Sequence, residues 1–165
     1  MSINRASLLA SGLGLIMSTV AFPSGAVLPV DEPQVVSGYN VFRVFPSRGD
    51  QHCVQEFWGG ALNSCSTTQS YMIFELGRSI DQGTYRLFTY GQNNGGAANT
   101  SFTCQAVAIS YNTFTGSWGN VATLTGQSGD GAASVVYVPW GHSLRLQCNN
   151  VQAAKGIQSI TVSKI

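Results

Sequence analysis

Charge is scarce in this chain. Lysine and arginine number 8, aspartate and glutamate 7, in 165 residues, for a net charge of +1. So neutral a surface offers no basic stripe to a phosphate backbone and no polybasic patch to anionic lipid, which excludes nucleic acid and anionic membrane surfaces as partners. Helix signals are missing as well. No stretch sustains a 3.6-residue apolar period, and Gly, Asn and β-branched residues recur throughout, which excludes helical bundles and coiled coils. Catalytic signatures are absent: there is no GxSxG, no HExxH, and no Ser, His and Asp set in a recognisable context. GQSGDGAAS has the composition of a phosphate loop, but no helix follows to lend its N-terminus, so it reads as a hairpin loop. Its Asp130 is a lone acid, too few ligands for calcium.

The one long apolar run lies at the N-terminus. Arg5 precedes an uncharged stretch from Ala6 to Phe22, followed by Pro23 and the small triplet Ser24-Gly25-Ala26. That order predicts a secretory signal over residues 1–26, cleaved before Val27, with cleavage after Ala21 as the alternative. An uncleaved anchor is the competing reading. Against it, the stretch is at the short limit of the about 20 residues that span a bilayer and contains Gly12 and Gly14. No cysteine follows it to carry a lipid, so the mature form is expected to be free of the membrane. Removal leaves 139 residues, an ordinary size for one domain with its own core. Residues 27–38 read as an extended lead and 39–165 as a single domain.

What is present is alternation. In SYMIFEL, Met72, Phe74 and Leu76 face one way and Tyr71, Ile73 and Glu75 the other; in HSLRLQC, Leu144, Leu146 and Cys148 oppose Ser143, Arg145 and Gln147. Further runs at 39–45, 84–90, 101–110, 120–125, 133–139 and 157–164 bring the total to about eight strands. GQNNGGAANT, NTFTGSWGN, GQSGDGAA and NNVQAAKG separate several of them with turn formers. Such spacing predicts an all-β fold, an antiparallel β-sandwich of jelly-roll or immunoglobulin-like type.

Four cysteines in an exported chain predict two disulfides. Cys104 shares a strand face with Phe102, Ala106 and Ala108, and Cys148 shares one with Leu144 and Leu146, so both sulfurs point inward and a buried Cys104–Cys148 bridge is expected. Cys53 and Cys65 then close a short local loop. The other two connectivities remain open.

The segments TSFTCQAVAIS and HSLRLQCNNVQAAKGIQSITV resemble small exported β-sandwich proteins of myxobacterial type, in which a cysteine in one strand and another in a late LxLxC strand precede a short loop and a last strand. The resemblance covers roughly residues 80–165. It implies the fold and a bacterial exported setting, and it brings no activity or site residues. The Cys53 to Cys65 region departs from the pattern.

Candidate chemistry centres on QHCVQEFWGGALNSC, residues 51–65. A zinc reading would use His52, Cys53 and Cys65 with a distant fourth ligand such as His142, but thiols in an oxidising compartment form disulfides, so no metal is expected. A disulfide-held turn displaying Phe57 and Trp58 is the better picture. All three tryptophans precede glycine, at Trp58, Trp118 and Trp140, which places each near a strand end. Any one of them is expected to cap an open end of the core; the competing role is a platform on which sugar rings stack. Glu56 and Glu75 are the least implausible pair for a glycosidase. His142 is expected in a turn, and Asn99-Thr100-Ser101 is an N-glycosylation acceptor sequence.

These readings converge on an exported, non-enzymatic binding or surface-structural module without a cofactor. The candidate ligand is carbohydrate, with Phe57, Trp58, Trp118 and Trp140 as binding residues and polysaccharide or another envelope protein as partner. One alternative is self-association through an exposed edge strand formed by the terminal run ITVSKI. A small secreted hydrolase is the other.

Overall fold

The computed structural model describes residues 34–37, 43–46, 51–77, 80–98, 100–110, 112–113 and 115–165. The expected signal over 1–26 lies outside them. Eleven strands are present among the described residues: β1 (Gln34–Ser37), β2 (Arg43–Pro46), β3 (Val54–Phe57), β4 (Gly60–Asn63), β5 (Gln69–Gly77), β6 (Gly83–Asn93), β7 (Phe102–Ser110), β8 (Gly116–Leu124), β9 (Gly131–Val138), β10 (His142–Val151) and β11 (Lys155–Lys164). The one helical element there is a 3-10 turn at Gln51–Cys53. No described helix is long and apolar enough to cross a membrane.

The strands form two antiparallel sheets. One runs β3-β4-β11-β6-β9 with β1 also paired to β11; the other runs β2-β5-β10-β7-β8. The all-β sandwich is therefore as expected, but with three strands more than about eight. The additions, β1, β3 and β4, have four residues each, too short for alternation to register. Of these, β1 falls within the expected lead and pairs with β11 from Gln34↔Val162 to Ser37↔Ser159. Of the run at 39–45, residues 39–42 lie outside the described residues.

The inward faces are those that alternation indicates. Met72, Phe74, Leu87, Leu144, Leu146 and Ile160 are fully buried between the sheets, and each such apolar side chain contributes roughly 1.5–3 kcal/mol when taken from water. Cys104 and Cys148 stand directly opposite one another on β7 and β10, with Cα atoms 4.0 Å apart, and are bonded inside the core. Cys53 and Cys65 are bonded at the base of the β3–β4 hairpin, which is also held by the Ser64 amide donating to the Cys53 carbonyl at 2.8 Å.

One side of the sandwich is closed by side chains. The edge strands β8 and β9 belong to different sheets, and Asn120 bridges them: its Nδ2 donates to the Ala133 carbonyl at 3.1 Å and its Oδ1 accepts from the Val135 amide at 2.7 Å. Gly119 makes this approach affordable, since a Cβ there would fall 2.3 Å from the Val135 carbonyl oxygen. The terminal strand β11, by contrast, is interior, with β6 along one side and β4 and β1 along the other. The expectation that ITVSKI offers a free edge is thus corrected: β6 pairs along it from Ile160 to Lys164, and β1 pairs along its other side from Ile160 to Val162.

Candidate functional site

None of the tryptophans caps the core. Trp58, Trp118 and Trp140 are 83%, 54% and 79% exposed. Trp58 and Gly59 are the two central residues of the β3–β4 turn, with φ of 51° and 77°, the mirror-image turn that matches strand twist and favours Asn-Gly. Phe57 ends β3; its side chain lies outside the described residues. Trp140 occupies the turn from β9 to β10, where the His142 amide donates to the Pro139 carbonyl at 3.3 Å and Gly141 has φ of 74°. His142, expected in a turn, is the first residue of β10 and pairs with Ser110.

Trp118 lies near a strand end, as its Trp-Gly step indicates, but inside the strand rather than in a turn. It is the third residue of β8. Counting alternate residues back from the buried Leu124 and Ala122 would turn it inward. The ladder shifts, however: Gln105 pairs with Val121 and Val107 with Trp118, so two β8 residues, Gly119 and Asn120, are set against one on β7, Ala106. This bulge reverses the facing, as one inserted residue must in a period of two. Trp118 therefore shares the outer face of the five-stranded sheet with Val107, its partner.

Register places a graded set of side chains on that face. One row reads Trp118, Val107, Arg145, Glu75 from β8 across to β5; the next reads Val121, Gln105, Gln147, Ile73; the third Thr123, Thr103, Asn149, Tyr71. Strand spacing and rise put Trp118 and Tyr71 on the order of 20 Å apart along the diagonal. Between them lie three amides. Gln105 Nε2 donates to the Gly119 carbonyl at 2.6 Å and Gln147 Nε2 to Asn149 Oδ1 at 3.0 Å. These bonds fix the amide planes while leaving each residue part-exposed, with carbonyl and N–H groups to offer a hydroxyl-rich ligand. Arg145 and Glu75 form an ion pair at 3.3 Å, with Glu75 buried. Reasoning from sequence assigned the outward positions of Tyr71, Gln147 and Arg145 correctly but not their union into one surface.

The indoles do not converge. Trp118 and Trp140 lie on the β8–β9 side, at the end where β8 and β10 begin, whereas Trp58 belongs to the hairpin at the opposite edge of the other sheet. The hydrolase pair does not converge either: Glu56 stands on edge strand β3 of the six-stranded sheet, and Glu75 is in the ladder of the five-stranded one, paired to Arg145. The potential ligand atoms of His52, Cys53 and Cys65 fall within 4.8 Å of one another, but both sulfurs are consumed by their mutual bond. Asn99 of the sequon lies outside the described residues.

Asp130 and Lys155 have unusual surroundings at one end of the sandwich. Asp130 accepts from the Thr125 amide at 2.5 Å and the Thr125 hydroxyl at 2.8 Å, and these bonds, the amide foremost, hold its carboxyl below the usual range. Lys155 is fully buried at the far end of the core, where its Nζ donates to the Gly126 carbonyl, and burial lowers its pKa. Both close the loops away from the Trp118 end.

No family model matches the chain, and no curated protein matches it. Among solved structures, the Clostridium thermocellum N-terminal endo-1,4-beta-D-xylanase 10B, its CBM22-1-GH10 modules complexed with xylohexaose, aligns over 81% of this chain at 14% identity and a TM-score of 0.42. This chain spans 25% of that one. A likeness at that level carries no argument about ligand or site.

Proposed function

We propose that this protein is an exported glycan-binding module that holds a neutral polysaccharide on the outer face of its five-stranded sheet. The observation that carries the reading is the reversal at the β8 bulge, which lifts Trp118 out of the inward register and sets it on the same outer face as the amides of Gln105, Gln147 and Asn149 in the next two rows. An indole face supplies apolar area for the C–H face of a pyranose and the amides supply directional bonds to its hydroxyls. The low charge of the chain suits an uncharged ligand, and its two formed disulfides suit an oxidising destination.

The test is a pull-down on insoluble cellulose, chitin, xylan and mannan with wild type, Trp118→Ala and Trp58→Ala. Retention on at least one polymer, weakened tenfold or more by Trp118→Ala, is the expected result. Failure to bind any of the four, or unchanged retention of Trp118→Ala, would sink the reading.

A further inference from the structure

The six-stranded sheet also carries aromatic rings on its outward side. Register sets Tyr137 opposite Thr84, Phe88 opposite Ala133 and Tyr90 opposite Gly131. Tyr137 and Tyr90 are 49% and 37% exposed, and Phe88 and Tyr90 lie with ring centroids 5.0 Å apart and tilted. Gly131 is what lets both rings lean toward β9, because a Cβ there would fall 2.4 Å from Phe88 Cε1 and 3.4 Å from Tyr90 Cδ1. On the other flank, β11 sets Ser159 beside Tyr90, Thr161 beside Phe88 and Ser163 beside Arg86. Arg86 is the one charge in these rows; the rest are rings, hydroxyls and small residues.

We propose that this second face, built on Tyr90, Phe88 and Tyr137, binds another segment of the same neutral polysaccharide, so that one molecule bridges two chains. The inference rests on the glycan reading above and extends it. The chemistry repeats that of the first face, rings flanked by neutral hydrogen-bonding groups, which argues for the same class of occupant. Sheets packed face to face lie about 10 Å apart, so their outer faces point in opposite directions. A single glycan segment lying along one of them does not reach the other, and two simultaneous occupants follow.

Affinity electrophoresis in gels containing soluble xylan, hydroxyethylcellulose or galactomannan tests this, followed by calorimetric titration with a hexasaccharide cut from the polymer that retards the protein. Wild type should take up two hexasaccharides per chain and raise the viscosity of the polymer. Trp118→Ala and the double variant Tyr90→Ala, Tyr137→Ala should each take up one and leave the viscosity unchanged. Gly131→Ala, which drives the Phe88 ring from its place without touching the first face, should weaken the second site alone. A wild-type stoichiometry of one, abolished by Trp118→Ala and unaffected by the tyrosine variant, overturns the second face while the first stands. Absence of retardation in all three gels overturns both. Concentration-dependent dimerisation that the tyrosine variant abolishes would give the face to a second copy of the chain, and that too overturns the proposal.

Discussion

Ser134 and Asn120 join the two sheets. The Ser134 hydroxyl donates to the Asn120 carbonyl at 2.5 Å and accepts from the Ala106 amide at 2.9 Å, so one buried side chain on β9 satisfies backbone groups of both β8 and β7. Where the bulge interrupts the β7–β8 ladder, this hydroxyl takes the place of the missing strand partner.

Removing it should be costly. Ser134→Ala leaves a buried amide without its acceptor and should lower unfolding free energy by about 1–3 kcal/mol, whereas Asn120→Ala removes two bridging bonds that lie open to water and should cost about 1 kcal/mol. Because they share the seam, the double variant should lose less than the sum. Urea denaturation of the four proteins gives the answer; additive losses would show that the two residues act independently.

Trp58 sits where glycine or asparagine is at ease. A left-handed conformation costs an ordinary residue on the order of 1 kcal/mol, and the indole is exposed. Trp58→Asn should therefore raise stability by about 0.5–1 kcal/mol, read as an upward shift of the urea midpoint at unchanged slope. A fall would mean that contacts of the indole outweigh its backbone strain.

Lys155 and Tyr85 set opposite alkaline trends. Burial lowers the folded pKa of Lys155 below its ordinary 10.5, so over the interval up to that value the unfolded chain holds a proton the folded chain has released, and stability rises with pH. Burial, and then the charge of Asp81, raise that of Tyr85 above its ordinary 10.0. Past that point the unfolded chain loses a proton the folded chain keeps, and stability falls. Urea midpoints from pH 7 upward should climb and then drop, and Lys155→Met should flatten the climb alone.

The two disulfides should open in order. Cys104 and Cys148 are fully buried, whereas Cys65 is partly exposed, so a dithiol reductant should reach the Cys53–Cys65 bridge first. Alkylation and mass mapping over time would show that sequence. Loss of the inner bridge, with its 44-residue separation, should cost about 4 kcal/mol against about 3 for the outer one. Simultaneous opening would mean that reduction follows unfolding of the whole sandwich.

Local alternation determined much of this molecule. It fixed the inward faces of β5, β7 and β10 around Phe74, Cys104 and Leu146, because a strand buried on one side writes its environment into every second residue, and so pointed to a Cys104–Cys148 bridge while leaving the other connectivities open. Tertiary structure alone decided the rest. Trp118 faces outward only because a residue inserted in β8 reverses its register against β7. Strand β11 is interior only because β1 and β4, too short to show a period, pair along its free side. The Trp118, Gln147 and Tyr71 surface unites strands from distant parts of the chain, and lateral order among strands leaves no mark on the period within any one of them.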